Sequence, residues 1–229
     1  FYMLFSSAHP GISIGALYFF AANLVFYLFN NERSLSLIVR IRKTGYAHII
    51  FIAALLLLSA GMLTGYADIL PHFARGEKIS LETSLADSTG LRSWISILLP
   101  FTITKNSAFF NTDLSMRDCY FSLVLFLFLL LAFISRKNSW QRFLLILGLL
   151  FVLLSSGGLI KTFAYKFMPM IGYVRLNGEF RIFALLAFII VAAIELDKYF
   201  KQNRKFSGAL KWIYYFIEII LFIAITWGI

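Results

Sequence analysis

Residues 11–30 read GISIGALYFFAANLVFYLFN, twenty positions without a charged side chain. A helix rising about 1.5 Å per residue needs about 20 largely apolar residues to cross roughly 30 Å of hydrocarbon, so this stretch predicts a membrane span. Working outward, five more apolar runs come close to that length, at 47–66, 119–135, 140–155, 181–200 and 212–229. The runs are continuous and do not alternate, which excludes barrel strands. The expected fold is therefore an all-α polytopic membrane protein, one transmembrane domain over 1–229 with about six transmembrane helices. The runs at 119–135 and 140–155 are short and are expected to gain a turn at each end.

Composition agrees. Hydrophobic residues make up 60% of the chain, charged residues 14%, and the mean hydropathy is +0.82. A soluble domain carries roughly 25% charged and about 45–50% apolar residues. A soluble enzyme, a disordered tail and a secreted disulfide scaffold are excluded. Cys119 is the single cysteine, so no disulfide forms within the chain, and His9, His48 and His72 are far apart with no metal-type Cys/His spacing. The chain starts at Phe1 rather than Met, within an apolar stretch, and stops within another at Ile229, so it is expected to be a piece of a longer polypeptide.

The net charge is +10. In a soluble protein such a balance points to nucleic acid; here the basic residues cluster in short loops, which the positive-inside rule explains without a nucleic-acid partner. Arg33, Arg40, Arg42 and Lys43 follow the first span, Arg136, Lys137 and Arg142 the third, and Lys198, Lys201, Arg204, Lys205 and Lys211 the fifth. These loops hold Glu32 as their only acid. They are assigned to the cytoplasmic side of a bacterial cytoplasmic (inner) membrane, and residues 1–10 and the two long acidic connections to the outside.

Those two connections are the most informative regions. Leu91, Trp94, Ile95, Leu98 and Leu99 repeat at helical spacing, with Arg92, Ser93 and Ser96 largely opposite. The pattern predicts a helix over 91–99 lying in the outer interface, its apolar face in lipid and Trp94 at headgroup depth. Ser115-Met-Arg-Asp118 reads as a capping box opening the third span. Residues 156–179 contain Gly157-Gly158, Met168-Pro169-Met170 and Asn177-Gly178, breaker and turn signals that predict a short re-entrant or interfacial segment.

Taken in order, these segments resemble a known family. Ser7-Ala8-His9-Pro10-Gly11 before an aromatic-rich span resembles the Gly-His-Pro motif of the YfhO-type bacterial membrane proteins. GYADILPHFAR, ending at Arg75, resembles the span end with Leu-Pro and a Ser/Arg-containing turn. Leu99-Pro100-Phe101 resembles the proline that closes the family's interfacial helix, and Asp118-Cys-Tyr120-Phe121 the tyrosine-bearing start of its next span. The strongest likeness is Met168-Pro169-Met-Ile-Gly-Tyr-Val-Arg175-Leu-Asn-Gly178-Glu179-Phe180, which the family writes as Leu-Pro, a few apolar residues, Phe-Arg, Pro/Gly, Arg-Phe and a long apolar helix. This chain departs in having Ala8 for the usual Gly, Asn177 near a usual Pro, and Glu179 in place of a second Arg, with Arg181 close behind.

The resemblance implies a GT-C-like fold and transfer of a sugar from a polyprenyl-phosphate carrier to a cell-envelope glycan or teichoic-acid-like acceptor on the outer face. Its catalytic carboxylate would lie in a loop upstream of Phe1. The partners implied are membrane lipid, the lipid-linked sugar donor and the cell-envelope acceptor. The donor is the only group resembling a cofactor, with a divalent cation as an option and no metal site assigned. Under this reading Arg175, Arg181, His9, His72 and Arg75 bind substrate, Arg175 and Arg181 offering guanidinium forks to the phosphate. His9 and Asp68 are the candidate catalytic groups.

The bland alternatives are interfacial arginines contacting headgroups, a histidine capping a span, and solvated loop residues. Glu218 lies deep in the last span, where a carboxylate is costly, with Asn23 and Glu195 as conceivable partners. It supports the other functional class, a non-catalytic membrane subunit or transporter.

The loop charges make a direct prediction. In a Cys119→Ser background, a cysteine at Arg204 should resist an impermeant thiol reagent in intact cells, and one at Lys166 should react. Labelling at Arg204 from outside reverses the orientation.

Overall fold

The computed structural model describes residues 10–30, 78–85, 88–98 and 116–201, together with 50, 53, 54, 57, 60, 64, 110, 112, 208, 211, 212, 214, 215, 217–219 and 222. Among these residues all regular structure is helical. They divide into two compact units, one drawn from Phe1–Ala86 and Thr162–Leu176, the other from Asp87–Lys161 and Asn177–Ile229. Gly11–Asn30 is the one described helix long and apolar enough to cross a membrane. A second candidate arises if Leu123–Ile134 and Ser139–Ser155, bent by 115° at their junction, count as one span. Most of 47–66 and of 212–229 lies outside the described residues.

The first unit is built on α1 (Pro10–Asn30). Pro10 suits a first helical position, where its missing N–H costs nothing. Ile14, Ala16 and Phe19 are buried, whereas Leu24, Val25, Tyr27 and Phe29 are exposed. The half toward Pro10 is thus the covered half. A short helix α2 (Leu81–Leu85) and a 3-10 turn at Ile171–Tyr173 complete this unit's described core, the 3-10 turn packing on both α1 and α2.

The second unit is organised around α6 (Arg181–Lys201), against which α3 (Leu123–Ile134) and α4 (Ser139–Ser155) both pack. The buried face of α6 carries Ala184, Ala187, Phe188, Val191, Ala192 and Glu195, spaced three and four apart as one helical stripe requires. Its alanines let neighbouring backbones come close. α4 runs antiparallel to it, with the Phe151 ring centroid 5.5 Å from Phe183 at one end and Gln141 by Glu195 at the other. α3 runs parallel, since Asp118 ahead of it meets Arg181 and Phe128 within it meets Tyr199, centroids 5.7 Å apart.

The third predicted span needs correction. The helix does not gain a turn at each end of 119–135; it starts at Leu123, and 118–122 is not helical. Nor does the run at 140–155 gain a turn at each end; its helix adds only Ser139. Ser115–Asp118 does not cap the helix that starts at Leu123. Asp118 Oδ1 accepts from the Tyr120 N–H at 2.9 Å, closing a local turn, as Asp does when a helix is not its best local alternative. Ser122 enters the helix with φ at 140°, without a side-chain cap, a conformation costly for any residue bearing a Cβ.

The segment at 91–99 is also revised. It is a 3-10 helix over Leu91–Ile97, and its inward face is the serine face: Ser93 and Ser96 are fully buried and Ile95 is exposed. With three residues per turn, positions i and i+3 eclipse, which brings Ser93 and Ser96 into one line.

Gly148 of α4 faces Phe188 of α6, and a Cβ there would lie 2.6 Å from the buried ring. Gly148→Val should destabilise the protein by about 1–3 kcal/mol through overpacking. Adding Phe188→Ala should recover part of that loss in thermal unfolding, as coupled neighbours do.

Candidate functional site

Of the residues singled out from sequence, His9, Asp68, His72 and Arg75 lie outside the described residues. Arg175 belongs to the first unit and Arg181 to the second, and each takes its character from its own surroundings.

In the second unit, two of the segments that carry the family resemblance, at 118–121 and within 168–180, meet at the start of α6 together with the 3-10 helix Leu91–Ile97, while Leu99-Pro100-Phe101 lies outside the described residues. The 3-10 helix Leu91–Ile97, the stretch 116–119 and a 3-10 turn at Asn177–Phe180 are joined by a few polar atoms. Ser96 Oγ accepts from the Cys119 N–H at 2.8 Å, and its own hydrogen can go to Ser93 O at 2.6 Å or Arg117 O at 3.2 Å. Arg181 Nε donates to Asp118 O at 2.7 Å and Nη1 to Gly178 O at 2.8 Å, with Met116 Sδ 3.5 Å away. Gly178 is required there, because a Cβ would meet Met116 Sδ at 2.5 Å. Arg181 therefore ties the entrance of α6 to the lead-in of α3, and at least two of its five N–H donors are engaged by backbone carbonyls.

In the first unit, helix α5 (Gly158–Phe167), whose first four residues fall in the second unit, leads into the turn that presents Arg175. Tyr18 Oη of α1 donates to Pro169 O at 2.5 Å, the Ile79 N–H to Gly172 O at 3.0 Å, Tyr165 Oη to Ile79 O at 2.6 Å and Ser84 Oγ to Val174 O at 3.3 Å. Met170 takes the left-handed conformation that reverses the chain. Val174 is fully buried and Arg175 is exposed. The turn is thus fixed on one side by hydrogen bonds and holds a guanidinium outward on the other.

Two buried polar groups have surroundings that the sequence reading did not anticipate. Gln141 and Glu195 are buried: Gln141 Nε2 donates to Glu195 Oε2 at 3.4 Å, while Lys198 Nζ donates to Gln141 Oε1 at 2.6 Å and pairs with Glu195 Oε2 at 3.2 Å. The signal was available in Asn138-Ser-Trp-Gln141, a capping box directly before an apolar run. Glu195 is thus satisfied within its own unit by residues other than Glu218, whose side chain is exposed. Asn23 donates to Phe19 O in its own helix.

The second group is Lys161 on α5, fully buried, its Nζ without a hydrogen-bond partner and 5.0 Å from the Phe180 ring centroid. Its only sequence sign is a lysine on the α5 face shared by Ala164 and Tyr165, opposite Leu159 and Phe163. Among the described residues no three of His, Cys, Asp and Glu gather as metal ligands would.

Burial lowers Lys161 from 10.5 to about 8. Between about pH 8 and 10.5 the unfolded chain therefore holds the proton that the folded chain has released, and stability rises with pH across that window. Lys161→Met should flatten this rise and raise stability at pH 7 by about 1–3 kcal/mol, the penalty of an unpartnered buried donor. Unfolding midpoints in detergent from pH 6 to 10.5 measure both effects.

A scan against protein-family models, a search of curated proteins and a search of solved structures each found no match to this chain.

Proposed function

We propose that the chain is part of a multi-pass bacterial membrane protein of YfhO type, a GT-C-like glycosyltransferase. It would take a sugar from a polyprenyl-phosphate donor and pass it to a cell-envelope glycan or teichoic-acid-like acceptor at the outer face. The principal support is the order of the family-like segments along the chain. A structural observation adds to it: Asp118 of the tyrosine-bearing segment and Gly178 of the Met168–Phe180 segment both accept from Arg181, and Pro169 accepts from Tyr18 of the span that follows Pro10-Gly11.

In this reading the two arginines divide the work. Arg181 positions the entrance of α6 through backbone carbonyls. Arg175, exposed at the end of a hydrogen-bonded turn, is the group that meets the donor phosphate. An exposed guanidinium keeps its fork available for two-point contact with phosphate oxygens. The polyprenyl tail stays in lipid, so the cation has to stand at headgroup depth, where the charge is hydrated until the donor arrives.

The test is donor binding by the full-length protein. Loss of a charge-assisted contact costs about 1.5–3 kcal/mol, so Arg175→Ala should weaken polyprenyl-phosphate binding by roughly ten- to a hundredfold. Arg92→Ala, exposed on another segment, should leave it unchanged. Equal and negligible losses in both would return Arg175 to the role of a headgroup anchor and remove the residue-level support for glycosyl transfer.

A further inference from the structure

Helix α5 is inside out for a helix in water. Its inward positions are Lys161, Ala164 and Tyr165, and its outward positions are Leu159, Phe163 and Phe167, which are 88%, 61% and 70% exposed. Phe163 and Phe167, one turn apart, have ring centroids 4.6 Å apart, so the exposed surface is a single aromatic ridge. Met170 and Tyr173, both exposed, continue the apolar surface beyond the helix. Exposed Lys166 and Arg175 flank it. A water-facing helix would turn both of its lysines out and its phenylalanines in, whereas here Lys161 is buried and Phe163 and Phe167 are exposed. The reverse arrangement suits an apolar exterior, because polar groups then have to be held on the protein side.

The position of this ridge relative to α1 identifies its surroundings. Pro169, two residues past Phe167, accepts the hydrogen bond from Tyr18, and Tyr18 lies seven residues after Gly11, the start of the apolar stretch of α1. At about 1.5 Å per residue the attachment is about 10 Å along α1 from that start. An interfacial amphipathic helix buries its apolar face by about 5–10 Å into the headgroup and acyl boundary, with basic residues toward the headgroups. α5 is only ten residues long, about 15 Å, and too short to cross.

We infer that the segment from α5 to Arg175 is a wedge in the outer leaflet, its Phe163–Phe167 ridge in acyl chains and its cations, Lys166 and an Arg175 not engaged by donor, at the phosphates of anionic lipid. The inference rests on the membrane reading of α1 and is independent of glycosyl transfer. Anionic lipid is the occupant because two cations flank the ridge while no exposed acid stands among residues 158–176.

The test uses the full-length protein, Cys119→Ser, reconstituted in vesicles of phosphatidylethanolamine and phosphatidylglycerol. Single nitroxide labels are placed at Phe163, Phe167, Val25 and Glu82, and depth is read from the balance of oxygen and aqueous nickel-chelate accessibility. Labels at 163 and 167 should lie about 5–10 Å below the phosphates, Val25 deeper, and Glu82 in water. If Val25 is lipid-exposed while 163 and 167 match Glu82, the wedge is overturned and the membrane reading of α1 stands. If 163 and 167 are shielded from both reagents, protein covers the ridge and the wedge is likewise overturned. If Val25 itself is aqueous, the membrane reading fails and takes the wedge with it. A measurement without substitution at the ridge guards against misfolding: hydroxyl-radical oxidation of Phe163 and Phe167 in the unlabelled protein should fall severalfold on transfer from detergent to vesicles, and unchanged oxidation overturns the proposal.

Discussion

Glu195 sits almost entirely out of solvent, 2% exposed, beside Lys198 and Gln141, and the second unit depends on that carboxylate being compensated. Removing one partner of a buried ionic group leaves an uncompensated charge, a loss of about 3–5 kcal/mol. The compensation fixes geometry as well as energy. Gln141 bonds Glu195 and Lys198 and also closes the capping box with Asn138, so the first turn of α4 is held against the last turns of α6 by the residue that starts the helix. With that end fixed, antiparallel packing results. The turn at 135–138 then delivers α3 to the same end, and Arg181 closes the opposite end by binding the lead-in of α3.

Between those two polar clamps the packing is apolar, but two neighbouring segments turn polar groups inward: Ser93 and Ser96 are buried while Ile95 is exposed, and Lys161 is buried while Leu159 is exposed. The non-helical backbone at 118–122 also has polar groups engaged. It lacks intrahelical partners, yet Cys119 N–H reaches Ser96 Oγ, Tyr120 N–H reaches Asp118 Oδ1 and Asp118 O receives Arg181 Nε. Backbone that leaves a helix inside a packed unit needs partners of this kind for its buried polar groups. A serine on the 3-10 helix and an arginine at the head of α6 are therefore what permit α3 to start late.

The long apolar helices were legible because their boundaries are chemical. α1, α4 and α6 begin or end within one residue of the predicted runs, since a charge, a proline or a capping residue marks their ends. The start of α3 was not legible. Cys119 to Ser122 carries no charge to set it apart from the helix beyond it, and hydropathy cannot tell a non-helical lead-in held by distant Ser96 and Arg181 from a helical turn. The serine face of Leu91–Ile97 was misread because either helical period groups Ser93 with Ser96, and the pattern alone does not say whether that face or the apolar one meets protein. Lys161 was invisible for a related reason: only knowing which side of α5 meets protein turns an ordinary amphipathic lysine into a buried one. Among the candidate site residues, Arg175 and Arg181 stand out in sequence as polar groups at the margin of a span, but sequence could not divide their duties.

That division comes from the hydrogen-bond inventory. A guanidinium has five donors in a rigid fork, and its value to a phosphate lies in two parallel bonds from one edge. Arg181 has Nε committed to one carbonyl and Nη1 to another; Nε belongs to the edge best suited to a two-point grip, so binding a phosphate through that edge would mean surrendering the tie to α3. Each surrendered bond to a charged donor is worth about 1.5–3 kcal/mol, comparable to the gain from the new contact. Arg175 faces no such conflict: its turn is held by Ser84 and Tyr18 acting on backbone carbonyls and by the Ile79 N–H on Gly172 O, with Tyr165 fixing Ile79 in turn. None of those bonds uses the Arg175 side chain. On the proposed reading, where the resemblance assigns one duty to both arginines, Arg175 is the better suited to a ligand, because the bonds that hold its turn leave its side chain uncommitted.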